Sequence, residues 1–213
     1  MNLSDAKSFT EALKTGTLTI DTRPGNDFAD RFLKGALLVP FGPDFLSQLQ
    51  TVINDEPFQL MTEQDQTAVI QRLLAGTGHL KATAFYAANW DELEQVNAPY
   101  DMLITIDAEE FAIDYQFDEF FLIDVRSQEE FDAAHVEDAE NIQLADLTQM
   151  LTEMDETASY YVYGSTADEA ITAASLFKQN GYQRVRVVSA PFAQIAETKV
   201  PLLKKSKKQS EGK

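Results

Sequence analysis

The sequence predicts an α/β fold made of two tandem domains, each a small parallel sheet flanked by helices. Short apolar strands alternate with helical segments, which is typical of parallel sheets covered on both faces. The pattern also occurs twice, at an offset of 103 residues. The residues that are identical at this offset are Asp21 and Asp124, Arg23 and Arg126, Phe28 and Phe131, and Ala36 and Ala139.

Each copy contains the same order of predicted elements. The predicted strands are residues 18–20, 58–61 and 81–86 in the first copy, and 120–123, 160–163 and 184–188 in the second. A further apolar segment, residues 36–39 in the first copy and 141–143 in the second, follows the first helix of each. The predicted helices are residues 26–33, 44–53 and about 68–74, with a further short one at Trp90, and 128–135, 145–154 and about 171–177. The matching order indicates duplication of one domain.

Breaks in the pattern give the domain boundaries. Asn97, Ala98 and Pro99 interrupt it, so we expect one domain at residues 1–97 and another at 102–200. Residues 201–213 carry 5 basic and 1 acidic side chains and little apolar content, which predicts a disordered basic tail.

Charge narrows the classes of partner. The 213 residues carry a formal charge of −18, and residues 102–200 alone have 20 acidic and 5 basic side chains. Such a balance argues against nucleic acid as a partner. The sequence has neither an apolar run near the ~18 residues that cross a bilayer nor a secretory pattern at its start. We therefore expect a soluble cytoplasmic protein that does not bind membranes.

The sequence contains no cysteine and 2 histidines. Disulfides, thiolate metal sites and every cysteine-nucleophile mechanism are thereby excluded. Acidic pairs such as Glu129 and Glu130 lack the alternating spacing of a calcium loop. We predict no metal and no cofactor.

Each copy resembles a rhodanese domain. The first copy contributes Asp21-Thr22-Arg23, then Asp27-Phe28, then Gly35-Ala36-Leu37-Leu38-Val39-Pro40. The second copy contributes Asp124-Val125-Arg126, Glu130-Phe131, His135 and Ala139. The pair is also similar to the tandem rhodanese part that follows a metallo-β-lactamase-like domain in persulfide-dioxygenase-type proteins.

The resemblance implies sulfane-sulfur transfer through a cysteine thiolate at the end of the fourth strand, in a loop of anion-binding N–H groups. Thr62 and Gly164 stand at that position here, so both nucleophiles are missing. We expect no catalytic residue and no enzyme activity.

The residues after these positions are the remnants of the loop. They are Glu63 and Asp65 in the first copy, and Ser165, Thr166, Asp168 and Glu169 in the second. We expect a hydroxyl N-cap in each copy, with carboxylates in the first helical turn that favour the helix dipole and repel an anionic substrate.

The recurring charges at the strand ends have a structural interpretation. Asp21 with Arg23, and Asp124 with Arg126, are expected to form ion pairs that tie each strand end to nearby loops. His135 corresponds to Phe32 in the first copy, which favours a packing role. The aromatic segment from Phe111 to Phe121 is expected at the contact between the domains, with an exposed binding patch as the alternative.

The predicted function is that of a catalytically inactive rhodanese homologue that binds or scaffolds a protein. The resemblance implies a partner in sulfur metabolism, such as a sulfur-handling or metallohydrolase enzyme. The alternative is an enzyme of another class that reuses the ancestral cleft with Ser, Thr or acidic residues.

Overall fold

The structure is a computed structural model that describes residues 3–53, 56–78, 80 and 82–204. Two parallel sheets, each flanked by helices, form its framework. Within these residues no helix is long and apolar enough to cross a bilayer.

The first half of the chain forms a four-stranded sheet. Its strands are β1 (Leu18–Asp21), β3 (Leu37–Leu38), β4 (Phe58–Thr62) and β5 (Ala82–Ala87), all parallel, in the order β3-β1-β4-β5. Its helices are α1 (Ala6–Lys14), α2 (Gly25–Asp30), α3 (Phe45–Val52), α4 (Thr67–Thr77) and α5 (Trp90–Gln95). Two short strands, β2 (Phe32–Leu33) and β6 (Tyr100–Asp101), pair antiparallel outside this sheet.

The second half forms a five-stranded sheet. Its strands are β7 (Ile104–Ile106), β8 (Phe121–Asp124), β10 (Ala139–Asn141), β11 (Tyr160–Tyr163) and β12 (Val185–Val188), all parallel, in the order β10-β8-β11-β12-β7. Its helices are α6 (Ala108–Phe117), α7 (Gln128–Ala133), α8 (Leu144–Met150), α9 (Ala167–Gln179) and α10 (Phe192–Ile195). The first four strands of this order correspond to those of the first sheet, and β7 adds an edge.

The central strands have the composition that burial on both faces demands. All five residues of β4 and all four of β11 are buried, so neither strand alternates apolar with polar residues. The predicted strands and helices of both copies are confirmed to within a few residues. The sequence did not predict α6 or β7.

Helix α9 packs between the two halves. Its residues from Ala170 to Phe177 are all buried, because it packs on β11 and β12 on one side and on α2 and β3 of the first half on the other. Leu38 N–H donates to Ser175 Oγ at 3.1 Å, and Lys178 Nζ lies 3.2 Å from Asp101 Oδ2. One apolar cluster therefore contains core residues of both sheets, among them Ile20, Leu60, Val162 and Ile171.

The expectation that the aromatic segment joins the halves is wrong. Phe111 is buried in a separate cluster within the second half, where it packs near Tyr115, Phe120 and Tyr161. Phe117 and Phe121 are exposed. The small residues of α9, which let other elements approach closely, provide the contact instead.

The predicted disordered tail, residues 201–213, includes residues that form a strand in the structure. Leu202–Lys204 form β13, which pairs antiparallel with β9 (Ala134–Val136). Val200 is buried just before it and Leu202 packs on the second core, so the apolar residues at 200–203 outweigh the basic composition that follows. Residues 205–213 of the predicted tail lie outside the described residues.

Candidate functional site

Two buried ion pairs of the same geometry close the carboxyl ends of β1 and β8. Arg23 Nη2 lies 2.7 Å from Asp21 Oδ2, and Arg126 Nη2 lies 2.6 Å from Asp124 Oδ2. In each pair the arginine Nε and backbone N–H also donate to the aspartate.

Each arginine also donates a hydrogen bond to a carbonyl beyond the next helix. Arg23 Nη2 donates to the Arg31 carbonyl at 2.7 Å, and Arg126 Nη2 donates to the Ala134 carbonyl at 2.8 Å. The Arg126 guanidinium also lies 3.5 Å from the centre of the Phe192 ring. These hydrogen bonds tie each strand end to the residue that follows the next helix, which is a structural arrangement.

The first of the two loops, after β4, is closed by hydroxyl groups. Thr62 is buried, and its Oγ1 lies 2.6 Å from Thr67 Oγ1, which donates in turn to the Glu63 carbonyl at 3.1 Å. Glu63 Oε2 accepts a hydrogen bond from Gln66 Nε2 at 2.7 Å. These hydrogen bonds close the loop on itself, although the buried Gln66 Oε1 has no partner among the described residues.

The expected N-cap at Thr62 is wrong. Residues 63–66 form a turn, and α4 begins only at Thr67, with no acidic residue in its first turn. Glu63 and Asp65 consequently lie before the helix and do not stabilise its dipole from the first turn.

In the second loop, after β11, a carboxylate lies beside the position of the missing nucleophile. The Ser165 N–H donates to Glu169 Oε2 at 2.7 Å. A Cβ atom added at the buried Gly164 would lie only 2.8 Å from the same oxygen. Thr166 caps α9 as expected, because its Oγ1 accepts from the Glu169 N–H at 3.2 Å.

Glu169 and Glu130 both face this loop, and their pKa values are shifted in opposite directions. Burial raises the pKa of Glu169, against the Ser165 hydrogen bond, and the nearby Glu130 and Asp124 carboxylates raise it further. Hydrogen bonds from Ser127 and Ser165 lower the pKa of Glu130. Ser165 Oγ donates to Glu130 Oε1 at 2.7 Å, so one serine bridges two carboxylates.

Asp168 points elsewhere. Its Oδ1 occupies the space that a Cβ atom at Gly25 would need, at the start of α2 in the first half. Sequence reasoning treated Asp168 and Glu169 as equivalent acids facing one loop. The structure separates them, with Glu169 beside Gly164 and Asp168 at the contact between the halves.

His135 is held away from a role as a base for Ser165. Its Nδ1 bonds the Phe131 carbonyl at 2.7 Å, and its ring stacks on the Phe131 ring at 3.7 Å between centres. The hydroxyl of Ser165 is hydrogen-bonded to a carboxylate, so the pair needed for serine-type catalysis is not assembled.

Two open cavities lie among the described residues, and the second of them adjoins the loop after β4, because the Ala88 N–H on its wall donates to the Thr62 carbonyl at 2.8 Å. One, of about 420 Å³, is lined by residues at the starts of β7, β11 and β12 and by Asp118 and Glu119. The other, of about 460 Å³, lies beyond the end of β5 and is lined by Gln64, Tyr86 and Trp90, among others. The first cavity was not predicted from the sequence, whereas a cavity near Thr62 is what the alternative of an enzyme that reuses the ancestral cleft predicts. Across the described part of the chain, no three potential metal ligands cluster together.

Comparison with known proteins finds a family match in the second half of the chain. Residues 107–198 match the family model of the rhodanese-like domain. No curated protein matches the chain.

Several solved structures are similar to parts of the chain. A rhodanese-like domain from Anabaena sp. is 20% identical, with a TM-score of 0.47, and the match covers 53% of this chain and 88% of that one. A rhodanese with anions from E. coli is 24% identical, with a TM-score of 0.36, covering 40% and 99%. A full-length protein from Lactobacillus plantarum is 19% identical, with a TM-score of 0.42, covering 47% and 88%.

Proposed function

We propose that this protein is a catalytically inactive homologue of a tandem rhodanese, and that it acts as a binding or scaffolding module for another protein. One observation carries the proposal: the Glu169 carboxylate lies beside Gly164 and accepts the Ser165 N–H. In a sulfurtransferase, that space and that donor would serve the nucleophile and its anionic substrate.

The tandem arrangement is supported by the two sheets and the two ion pairs. The first four strands have corresponding orders, and both arginines bond a carbonyl eight residues further along the chain. We therefore interpret residues 1–97 as a second, more diverged rhodanese-like domain joined to the one at 102–200.

The loss of sulfur transfer follows from chemistry. Sulfane-sulfur transfer forms a persulfide on a thiolate, and the sequence holds no cysteine. The hydroxyl of Thr62 is buried against that of Thr67, and the hydroxyl of Ser165 is bonded to Glu130, so among the described residues neither is hydrogen-bonded to an imidazole that could activate it.

A protein partner fits the remaining features better than a small anion. The carboxylate of Glu169 occupies the position of an anion, and a second negative charge at ~6 Å would cost roughly 0.7–2.8 kcal/mol. From the rhodanese-like domain we propose a partner that handles sulfur. We propose the cytoplasm as the location, which fractionation of the native host followed by immunoblotting would test.

The test is a thiosulfate-to-cyanide sulfur-transfer assay on the purified full chain. We expect the rate of the protein-free blank, with a cysteine-containing rhodanese as the positive control. Sulfur transfer above the blank, or a covalent sulfur adduct on the unmodified chain by mass spectrometry, would refute the proposal.

A further inference from the structure

Helix α6 has apolar residues on both of its faces. Phe111 and Ala112 are buried, whereas Ile113 and Phe117, four residues apart on the same side of the helix, are 59% and 79% exposed. An ordinary surface helix places polar residues on its outer face. The outer side of α6 is therefore an apolar surface that this chain leaves uncovered.

The apolar surface continues along the amino ends of the second sheet. Ile104, the first residue of β7, is 55% exposed and lies two residues before Ile106, which packs in the same core as Phe111 of α6. Ile104, Asp118 and Glu119 line one cavity of about 420 Å³ between the end of α6 and the sheet edge, and Arg184 and Arg186 line it as well. We call the surface formed by Ile104, Ile113 and Phe117 the α6 patch.

Carboxylates surround the α6 patch. Residues 107–119 contain six acidic and no basic residues, namely Asp107, Glu109, Glu110, Asp114, Asp118 and Glu119. Asp118 and Glu119 stand at the carboxyl end of α6, where the helix dipole is already negative and such charges oppose folding.

Nearby arginines only partly offset this charge. Arg186 Nη1 lies 3.1 Å from Asp114 Oδ2 and 2.9 Å from the Tyr161 hydroxyl, so its charge is paired. Arg184 donates to the Thr157 carbonyl at 3.1 Å. The six carboxylates of residues 107–119 outnumber these two arginines, so the rim of the patch keeps a net negative charge.

We propose that the α6 patch docks a partner protein through a positively charged segment that carries apolar side chains. This inference rests on the proposed function, because it names the surface and the chemistry of the partner. Charge complementarity selects that partner, since apolar anchors fill the centre of an interface and opposite charges its rim. A second copy of this chain would bring its own carboxylates against the same rim.

The probe is a short synthetic peptide in which Leu recurs at helical spacing and Lys fills the other positions. Its binding to the full chain is measured by fluorescence anisotropy at several salt concentrations. We expect binding that weakens as salt rises and that falls about tenfold in the double variant I113S/F117S, which removes two anchors.

The matched control is V69S/L73S. Val69 and Leu73 form an exposed apolar pair with the same spacing on α4, a helix that has no acidic residue. This variant should bind the peptide like the wild type. Wild-type affinity in I113S/F117S would overturn the assignment, and so would an equal loss in both variants, which would mean unspecific attraction to an acidic protein.

Hydrogen exchange separates this inference from the proposed function. With peptide bound, protection is expected at residues 108–121. Protection confined to another surface would overturn the α6 patch while leaving a binding function in place. Sulfur transfer by the wild type would instead overturn the proposed function. Sedimentation that shows dimers of the wild type but monomers of I113S/F117S would assign the patch to self-association and refute the basic partner.

Discussion

The loops after β4 and β11 occupy corresponding places in the two sheets but are closed by different chemistry. Two neutral hydroxyls, of Thr62 and Thr67, meet in the first loop. In the second, the Glu169 carboxylate folds back onto the Ser165 N–H beside Gly164. The ion pairs below the loops are nearly identical. The two halves therefore share the same framework at the strand ends, while the loops above it differ in their chemistry.

The largest expected effect concerns the buried Asp–Arg ion pairs, which both halves contain. Asp21→Asn and Asp124→Asn each leave a buried arginine without its charge partner, which should cost about 3–5 kcal/mol of unfolding free energy. Urea denaturation of each variant gives the value. Similar losses in both would support equivalent roles, whereas a loss below about 1 kcal/mol in either would break the comparison at that site.

A smaller effect is expected where the second loop meets the first half. Gly25→Ala places a methyl group against Asp168 Oδ1 and Ile171, so we expect a loss of about 1–3 kcal/mol. Gly42→Ala is the matched control, since a Cβ there meets nothing within 4 Å. The additional change Asp168→Ala should restore part of the loss. Equal stability of the Gly25 and Gly42 variants by thermal unfolding would contradict the contact.

A cysteine at position 164 tests whether the second loop merely lacks a nucleophile or whether the Glu169 carboxylate also occupies the space that a nucleophile would need. In Gly164→Cys the new side chain must displace Glu169, whose negative charge disfavours a thiolate. The pair Gly164→Cys with Glu169→Ala should react with iodoacetamide about tenfold faster at neutral pH. Ser47→Cys places a thiol on the exposed side of α3 and gives the iodoacetamide rate of a cysteine outside the loop. Equal rates with and without Glu169 would show that the carboxylate does not govern the site.

The smallest expected effect is a pH dependence of stability that comes from Glu169 in the second loop. Burial raises the pKa of Glu169 above its ordinary 4.5 in the folded chain, so its contribution to stability is complete below 4.5 and is lost as pH rises through the raised value. Glu169→Gln should therefore gain stability relative to the wild type between 4.5 and neutral pH.

Urea denaturation at a series of pH values measures this difference. Thr62→Val serves as the control from the first loop, because it removes a neutral hydroxyl and its difference from the wild type should not vary with pH. If the difference in unfolding free energy between Glu169→Gln and the wild type did not vary with pH, or varied in the opposite direction, the pKa of Glu169 would not be raised in the folded chain.

Much of the framework could be predicted from the sequence. The strands around residues 58–62 and 160–163 are apolar runs of the right length, and the repeated Asp-x-Arg motif indicated both strand ends. Helix α6 was missed because its apolar residues lie on both faces and give no clear period. Strand β13 was missed because composition was averaged over a segment whose first residues are apolar.

The site was less predictable for a geometric reason. Asp168 and Glu169 are adjacent in sequence, but consecutive residues on a helix point about 100° apart, so one faces the loop and the other the first half. Sequence alone gave the residue types, while which neighbour each would contact depended on how α9 packs.

Helix α9 has a consequence for how this protein varies between species. A helix covered on one side tolerates change at its outward positions, at intervals of three or four residues. Here eight successive residues, from Ala170 to Phe177, are enclosed by the two halves. Natural variants should therefore show an unbroken band of slowly changing positions there, and a gene split between the halves should yield fragments that aggregate.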